Sequence, residues 1–140
     1  MPEYPLDPRI AADSVALAHL PLSELRLMKD ARFRWVILVP RVAGAVEIVD
    51  LAKPDRAALF EEITAVSAAL RAATGCDKLN VAAIGNYVRQ LHVHVVARFT
   101  TDAAWPKPVW GWPGDAVAYD PADQDRLAAE IRTRLSPQFP

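Results

Sequence analysis

Glycine is scarce in this chain, with five in 140 residues, at Gly44, Gly75, Gly85, Gly111 and Gly114. Neither G-x-G-x-x-G nor G-x-x-x-x-G-K-[ST] can be drawn through those positions, which excludes a glycine-rich phosphate cradle of the dinucleotide-fold or P-loop type. No charge of one sign dominates: 16 Lys+Arg stand against 17 Asp+Glu, a net charge of -1. A duplex nucleic acid is therefore not an expected partner, because that binding draws on a basic excess. Long apolar runs are also missing. Trp35-Val36-Ile37-Leu38-Val39 is a run of five, far short of the ~20 residues of a membrane-spanning helix. The single cysteine, Cys76, allows no internal disulfide and fits a reducing compartment. Met1-Pro2-Glu3-Tyr4 carries neither a basic n-region nor an apolar h-region, so the expected location is the cytoplasm.

What is present is a globular composition, 52% hydrophobic and 24% charged, on a length that suits one domain over residues 1–140. The 12 prolines are unevenly spread. Pro2, Pro5 and Pro8 crowd the start and Pro106, Pro108 and Pro113 a later stretch, while none falls between Asp55 and Trp105. Regular hydrogen-bonded structure should concentrate in that window.

A helix over 54–74 opens it. Pro54 suits the first turn, Asp55 favours the positive end, Leu59, Ile63, Val66, Leu70 and Ala73 make one apolar face, and Gly75 terminates it. Leu79 to Ile84 and Leu91 to Arg98 then alternate as strands, and Gly85-Asn86 between them reads as a tight turn, implying antiparallel pairing. Upstream, 25–28 and 35–39 read as strands joined by 29–34, with a further short strand over 14–20. Asp7-Pro8 and Asp120-Pro121 are cap-plus-proline helix starts, giving helices near 7–12 and 121–135. The architecture is α+β: an antiparallel sheet with the long helix on one face.

Two of the three histidines lie in Gln90-Leu91-His92-Val93-His94-Val95-Val96. Period two on a strand places Gln90, His92 and His94 on one face, neighbours about 6.6 Å apart. The helix takes the Leu/Val face, so the Gln/His/His face is expected to be open to a ligand. Three uses compete: none, a metal pair, or catalysis with one imidazole as nucleophile or base and the other as donor. A catalytic zinc needs a third ligand; His19 is the only other histidine and Cys76 is expected at the helix end, away from this face, so no metal is expected.

His92-Val93-His94-Val95-Val96, with a polar residue two positions earlier, resembles the histidine-triad (HIT) motif, His-φ-His-φ-His-φ-φ. Trp35-Val36-Ile37-Leu38-Val39-Pro40, Asp50-Leu51 before Pro54-Asp55, and the stretch 80–98 extend the resemblance over about 25–98. It implies a nucleotide-binding hydrolase or nucleotidyl transferase acting on nucleoside phosphoramidates or dinucleoside polyphosphates through a nucleotidyl-histidine intermediate, without a cofactor and commonly as a homodimer. His92 would be the nucleophile and His94 a donor to phosphate. Asn80 would polarise the ligand, Asn86 and the backbone of the 85–88 turn would contact phosphate, and Asp30 would hold the ribose. Arg89 is a lesser candidate. Three residues depart from the family pattern. Gln90 replaces the first histidine and cannot titrate, Trp35 replaces a further histidine and either packs in the core or stacks under a base, and Tyr87 replaces a Ser or Thr. These departures motivate the alternative of a catalytically weakened nucleotide-binding or regulatory protein. The tryptophans of 105–113 are expected to close over a ligand or to meet a partner subunit.

Overall fold

The computed structural model describes residues 4–139. Met1, Pro2 and Glu3, on which most of the signal-peptide reading rests, lie outside the described residues. Helix α1 (Pro8–Asp13) leads into strands β1 (Ser14–His19), β2 (Ser23–Met28) and β3 (Arg34–Pro40). A 3₁₀ turn (Ile48–Asp50) precedes the long helix α2 (Lys53–Thr74), which is followed by β4 (Lys78–Ala82), β5 (Val93–Arg98) and the C-terminal helix α3 (Pro121–Leu135). The five strands form one sheet in the order β1-β2-β3-β5-β4, and every neighbouring pair is antiparallel.

The helix starts form as the capping chemistry requires. The Asp7 carboxylate accepts from Arg9 N at 2.8 Å, and that of Asp120 from Asp123 N at 3.3 Å. At its far end α2 stops at Gly75, whose φ of 66° is the left-handed conformation that a Cβ disfavours.

Helix α2 buries Leu59, Ile63, Val66 and Leu70 against Leu25, Leu27, Val36, Leu38, Val93 and Val95, and α3 adds Leu127, Ile131 and Leu135. Glu62 lies on this same buried face and is 1% exposed. Its carboxylate accepts from Leu22 N at 2.7 Å and Ser23 N at 3.0 Å, so the helix holds the β1–β2 turn through two charge-assisted hydrogen bonds.

The tight hairpin at Gly85-Asn86 does not form. The β4–β5 ladder runs from Lys78↔Arg98 to Ala82↔His94 and ends there, leaving residues 83–92 as a long connection. Its backbone is drawn elsewhere, with Leu91 N donating to Ala45 O at 3.0 Å. His94 therefore sits on a strand, while Gln90 and His92 sit just before it.

Candidate active site

The sheet face opposite α2 carries the histidines, as period two demands, but it is not open. His92 is 9% and His94 6% exposed. The tryptophan segment provides part of the cover. Phe33, Val96, Ala104 and Val109 form a second small core, with Trp35, Trp110 and Trp112 packed against it. The 105–113 segment thus packs on its own sheet. Residues of the N-terminal stretch cover the adjoining part, where Ile10 packs on Ile37 and Val39 with Leu6 and Val88 nearby.

The two imidazole rings are 4.8 Å apart at 64°. Nδ1 of His92 lies 2.7 Å from the Gln90 carbonyl oxygen. A carbonyl only accepts, so this nitrogen carries a proton, and in the neutral ring Nε2 keeps its lone pair. Nδ1 of His94 lies 2.9 Å from Nε1 of Trp35. An indole N–H only donates, so here Nδ1 is the acceptor and Nε2 carries the proton. The two rings are thus held in opposite tautomers, one offering a nucleophilic nitrogen and the other a donor. His94 stays neutral because burial, with a smaller effect from the charge of His92, pushes its pKa down to about 3. Trp110 closes the arrangement, edge-on to His94 at 5.4 Å and to Trp35 at 6.2 Å, with its buried Nε1 unpartnered.

The remaining candidates are dispersed. Both polar atoms of the Gln90 side chain are engaged by the N-terminal stretch: Oε1 accepts from Asp7 N at 2.7 Å and Nε2 donates to Pro5 O at 2.9 Å. Asn80 shares the sheet face of His94, but its Oδ1 accepts from Arg98 Nη1 at 2.9 Å. The Arg98 guanidinium also pairs with Asp102, whose carboxylate accepts from the N–H groups of Phe99, Ala104 and Trp105. Asn80 therefore supports the root of the tryptophan segment. Asp30 is buried and accepts from Arg32 and from Val117 N. These bonds hold its carboxyl below the usual range despite the opposing effect of burial, which is the largest single influence. It lies beyond the Arg34 end of β3, whereas His92 adjoins the Leu38 end through Leu38↔Val93. Asn86 and Arg89 are exposed, and Tyr87 is 92% exposed.

A shallow cleft reaches His92 between Val46, Glu47, Ala83, Ile84 and Gly85. It adjoins a larger one of about 370 Å³, with which it shares Val46 and Gln90. A cleft at Arg34, Thr74, Phe99 and Asp123 holds neither histidine. Among the described residues no three His, Cys, Asp or Glu side chains converge as metal ligands would, and no helix is long and apolar enough to cross a membrane.

Sequence reasoning missed the parts played by four residues. Trp110 was one of a group with no local signal to single it out. Asp7 read only as part of a helix start, and Arg9 beside it carried no reading. Glu62 had a visible signal, because it falls on the apolar stripe of α2 where a charge demands buried partners.

Fold and site together define an α+β domain built around a paired-histidine site. The HIT domain model matches residues 9–101, and this chain belongs to the HIT family. The chain is 46% identical to a histidine triad protein from Bradyrhizobium japonicum, with TM-score 0.94, covering 96% of this chain and 99% of that one. It is 43% identical to a histidine triad protein from Sinorhizobium meliloti 1021, with TM-score 0.92 and coverage of 94% and 97%. A histidine triad protein from Marinobacter aquaeolei VT8 is 40% identical, with TM-score 0.91 and coverage of 96% and 98%. A search of curated proteins found no match.

Proposed function

We propose that this protein is a nucleotide hydrolase or nucleotidyl transferase that uses His92 as its nucleophile, on nucleoside phosphoramidates or dinucleoside polyphosphates. The observation that carries the reading is the opposite tautomers of His92 and His94. The Nε2 lone pair of His92 attacks the α-phosphorus, and the bond to the leaving nitrogen or oxygen breaks with its electron pair, the leaving atom taking a proton from solvent. The imidazole in the resulting nucleotidyl-histidine is cationic, and the Gln90 carbonyl stabilises it through the Nδ1–H. Water then attacks phosphorus and gives up a proton to solvent, and the electron pair of the breaking P–N bond returns to Nε2. His94 donates from Nε2–H to a phosphoryl oxygen as charge develops there, and backbone N–H groups of residues 85–88 and the exposed Asn86 are further donors. No metal or cofactor takes part in these steps.

A second reading, a nucleotide-binding protein with weakened activity, is favoured by the engaged side chains of Gln90, Asn80 and Asp30. The working form in this proposal is a cytoplasmic homodimer. Strand β4 is an outer strand of the sheet, and an outer strand leaves one row of backbone groups unpaired.

The deciding experiment incubates the protein and His92→Ala with a nucleoside phosphoramidate and a dinucleoside polyphosphate, with and without chelator. Turnover that falls at least about 100-fold in His92→Ala and ignores chelator is expected. Undiminished turnover by the variant rejects the nucleophile, and loss on chelation rejects the metal-free route. Nucleotide binding without turnover establishes the second reading.

A further inference from the structure

We propose that residues 5–9 form a latch on the histidine loop, and that Gln90 is a positioning residue acting through it. This extends the reading of His92 as nucleophile and rests on it. The Gln90 carboxamide presents an acceptor and a donor side by side. Asp7 N–H and Pro5 C=O, two residues apart along the chain, take one each, at 2.7 and 2.9 Å, much as a neighbouring strand would. An imidazole carries its donor and acceptor in diverging directions and does not match such a pair, which accounts for glutamine at the first position of this motif.

A second tie lies three residues upstream. Arg9 Nη1 donates to the Tyr87 carbonyl at 3.0 Å, while the Asp7 carboxylate holds the same guanidinium through Nη2 at 3.1 Å and Nε at 3.2 Å. The element behind the latch is itself seated. Ile10 is buried on Ile37 and Val39, and Ser14 Oγ donates to Ile10 O. The connection 83–92 is thereby fastened at residue 87 to helix α1, which rests on the sheet, at 90 to the stretch leading into it, and at 91 to the loop carrying Ala45.

The link to chemistry is the backbone of Gln90. Its side chain is the latched group, and its carbonyl is the acceptor that keeps the proton on Nδ1 of His92. Freeing the side chain lets the 89–91 backbone move and takes the carbonyl from Nδ1. The proton then divides between the two nitrogens, and molecules protonated at Nε2 have no lone pair facing phosphorus.

The test compares the full-length protein with Gln90→Ala, Gln90→Glu and Arg9→Ala. It reads the nitrogen-15 shifts of the His92 ring, hydrogen exchange at the Asp7 amide, and kcat and KM for a nucleoside phosphoramidate. In the parent, His92 reads as purely Nδ1-protonated. In Gln90→Ala the shifts move towards the average of the two tautomers, the Asp7 amide exchanges at least about tenfold faster, and kcat falls about tenfold or more with KM within about twofold. Arg9→Ala moves each readout less in the same direction. Gln90→Glu, which keeps the acceptor for Asp7 but sets an oxygen against the Pro5 carbonyl, falls between them. Fast exchange at Asp7 with an unmixed His92 tautomer and parental kcat overturns the proposal, and so does unchanged Asp7 exchange in Gln90→Ala. Failure of the nucleophile reading is separate: His92→Ala then keeps its turnover, whereas the tautomer and exchange readouts still report on the latch.

Discussion

At the scale of single residues, the chemistry depends on what each imidazole touches. Two histidines two positions apart are alike in the sequence, yet a carbonyl acceptor holds the proton of one ring on Nδ1 and an indole donor leaves the other with its proton on Nε2, the difference on which the proposed roles rest. The lowered pKa of His94, about 3, has a consequence for stability. Its unfolded value is about 6.5, so the unfolded chain binds a proton that the folded one refuses over the interval between the two. The contribution of His94 is complete above about pH 6.5 and is lost as pH falls towards 3, at up to about 1.4 kcal/mol per pH unit. Depressed carboxylates such as Asp30 and Asp102 add their own loss only near and below their ordinary values of about 4, so the stretch from about pH 6.5 to 5 belongs to His94. Urea unfolding across that interval is expected to show the slope, and His94→Asn to flatten it. Ring proton shifts of His94 should stay flat from about pH 8 to 5, and an inflection near 6.5 would disprove the depressed value.

At the scale of elements, α2 shows how far periodicity reaches. Leu59, Ile63, Val66 and Leu70 are spaced to make the buried stripe, and they are the residues that meet the sheet. Helix boundaries followed because caps, prolines and Gly75 act over a few residues. Glu62 lies on the same stripe, and only its partners, Leu22 N and Ser23 N, explain why a carboxylate is tolerated there. Glu62→Ala should destabilise the protein by about 2–4 kcal/mol, because it strands two backbone donors at the β1–β2 turn. Equilibrium denaturation reads this directly, and a loss below about 0.5 kcal/mol, the level of an ordinary surface change, would show that the bonds contribute little. The β4–β5 connection behaves in the opposite way. Gly85-Asn86 suits a turn locally, but pairing stops at Ala82↔His94, and the loop follows contacts to Ala45, Pro5, Asp7 and Arg9 that no local pattern contains.

At the scale of the whole molecule, one sheet separates two environments. Helices α2 and α3 seal one side with aliphatic residues, and the aromatic segment and N-terminal stretch, α1 included, cover the histidines on the other. In the proposed homodimer, the outer strand β4 is where the second copy adds. Val81 pairs with Val95 across β5 and is 48% exposed, with Ile84 43% exposed nearby. Val81→Lys is expected to raise the dimer dissociation constant at least about tenfold in sedimentation equilibrium. A parent protein that sediments as a monomer would reject the dimer.

The sequence by itself determined the α+β class, the positions of the helices and strands, the division of the sheet into an aliphatic and a histidine-bearing face, and the family resemblance. Those features follow from spacings of two to four residues and from caps and turns, which are local. Only the tertiary structure decided which nitrogen of each histidine holds the proton, and that Asn80, Asp30 and Gln90 are engaged by Arg98, Arg32 and the N-terminal stretch. It also decided that the tryptophans fold back on their own sheet. The bonds of His92 to the Gln90 carbonyl and of Arg32 to Asp30 span two residues, but others join partners far apart along the chain, 59 residues for Trp35 and His94 and 85 for Pro5 and Gln90. Such pairs meet only when the sheet and helices have brought them together.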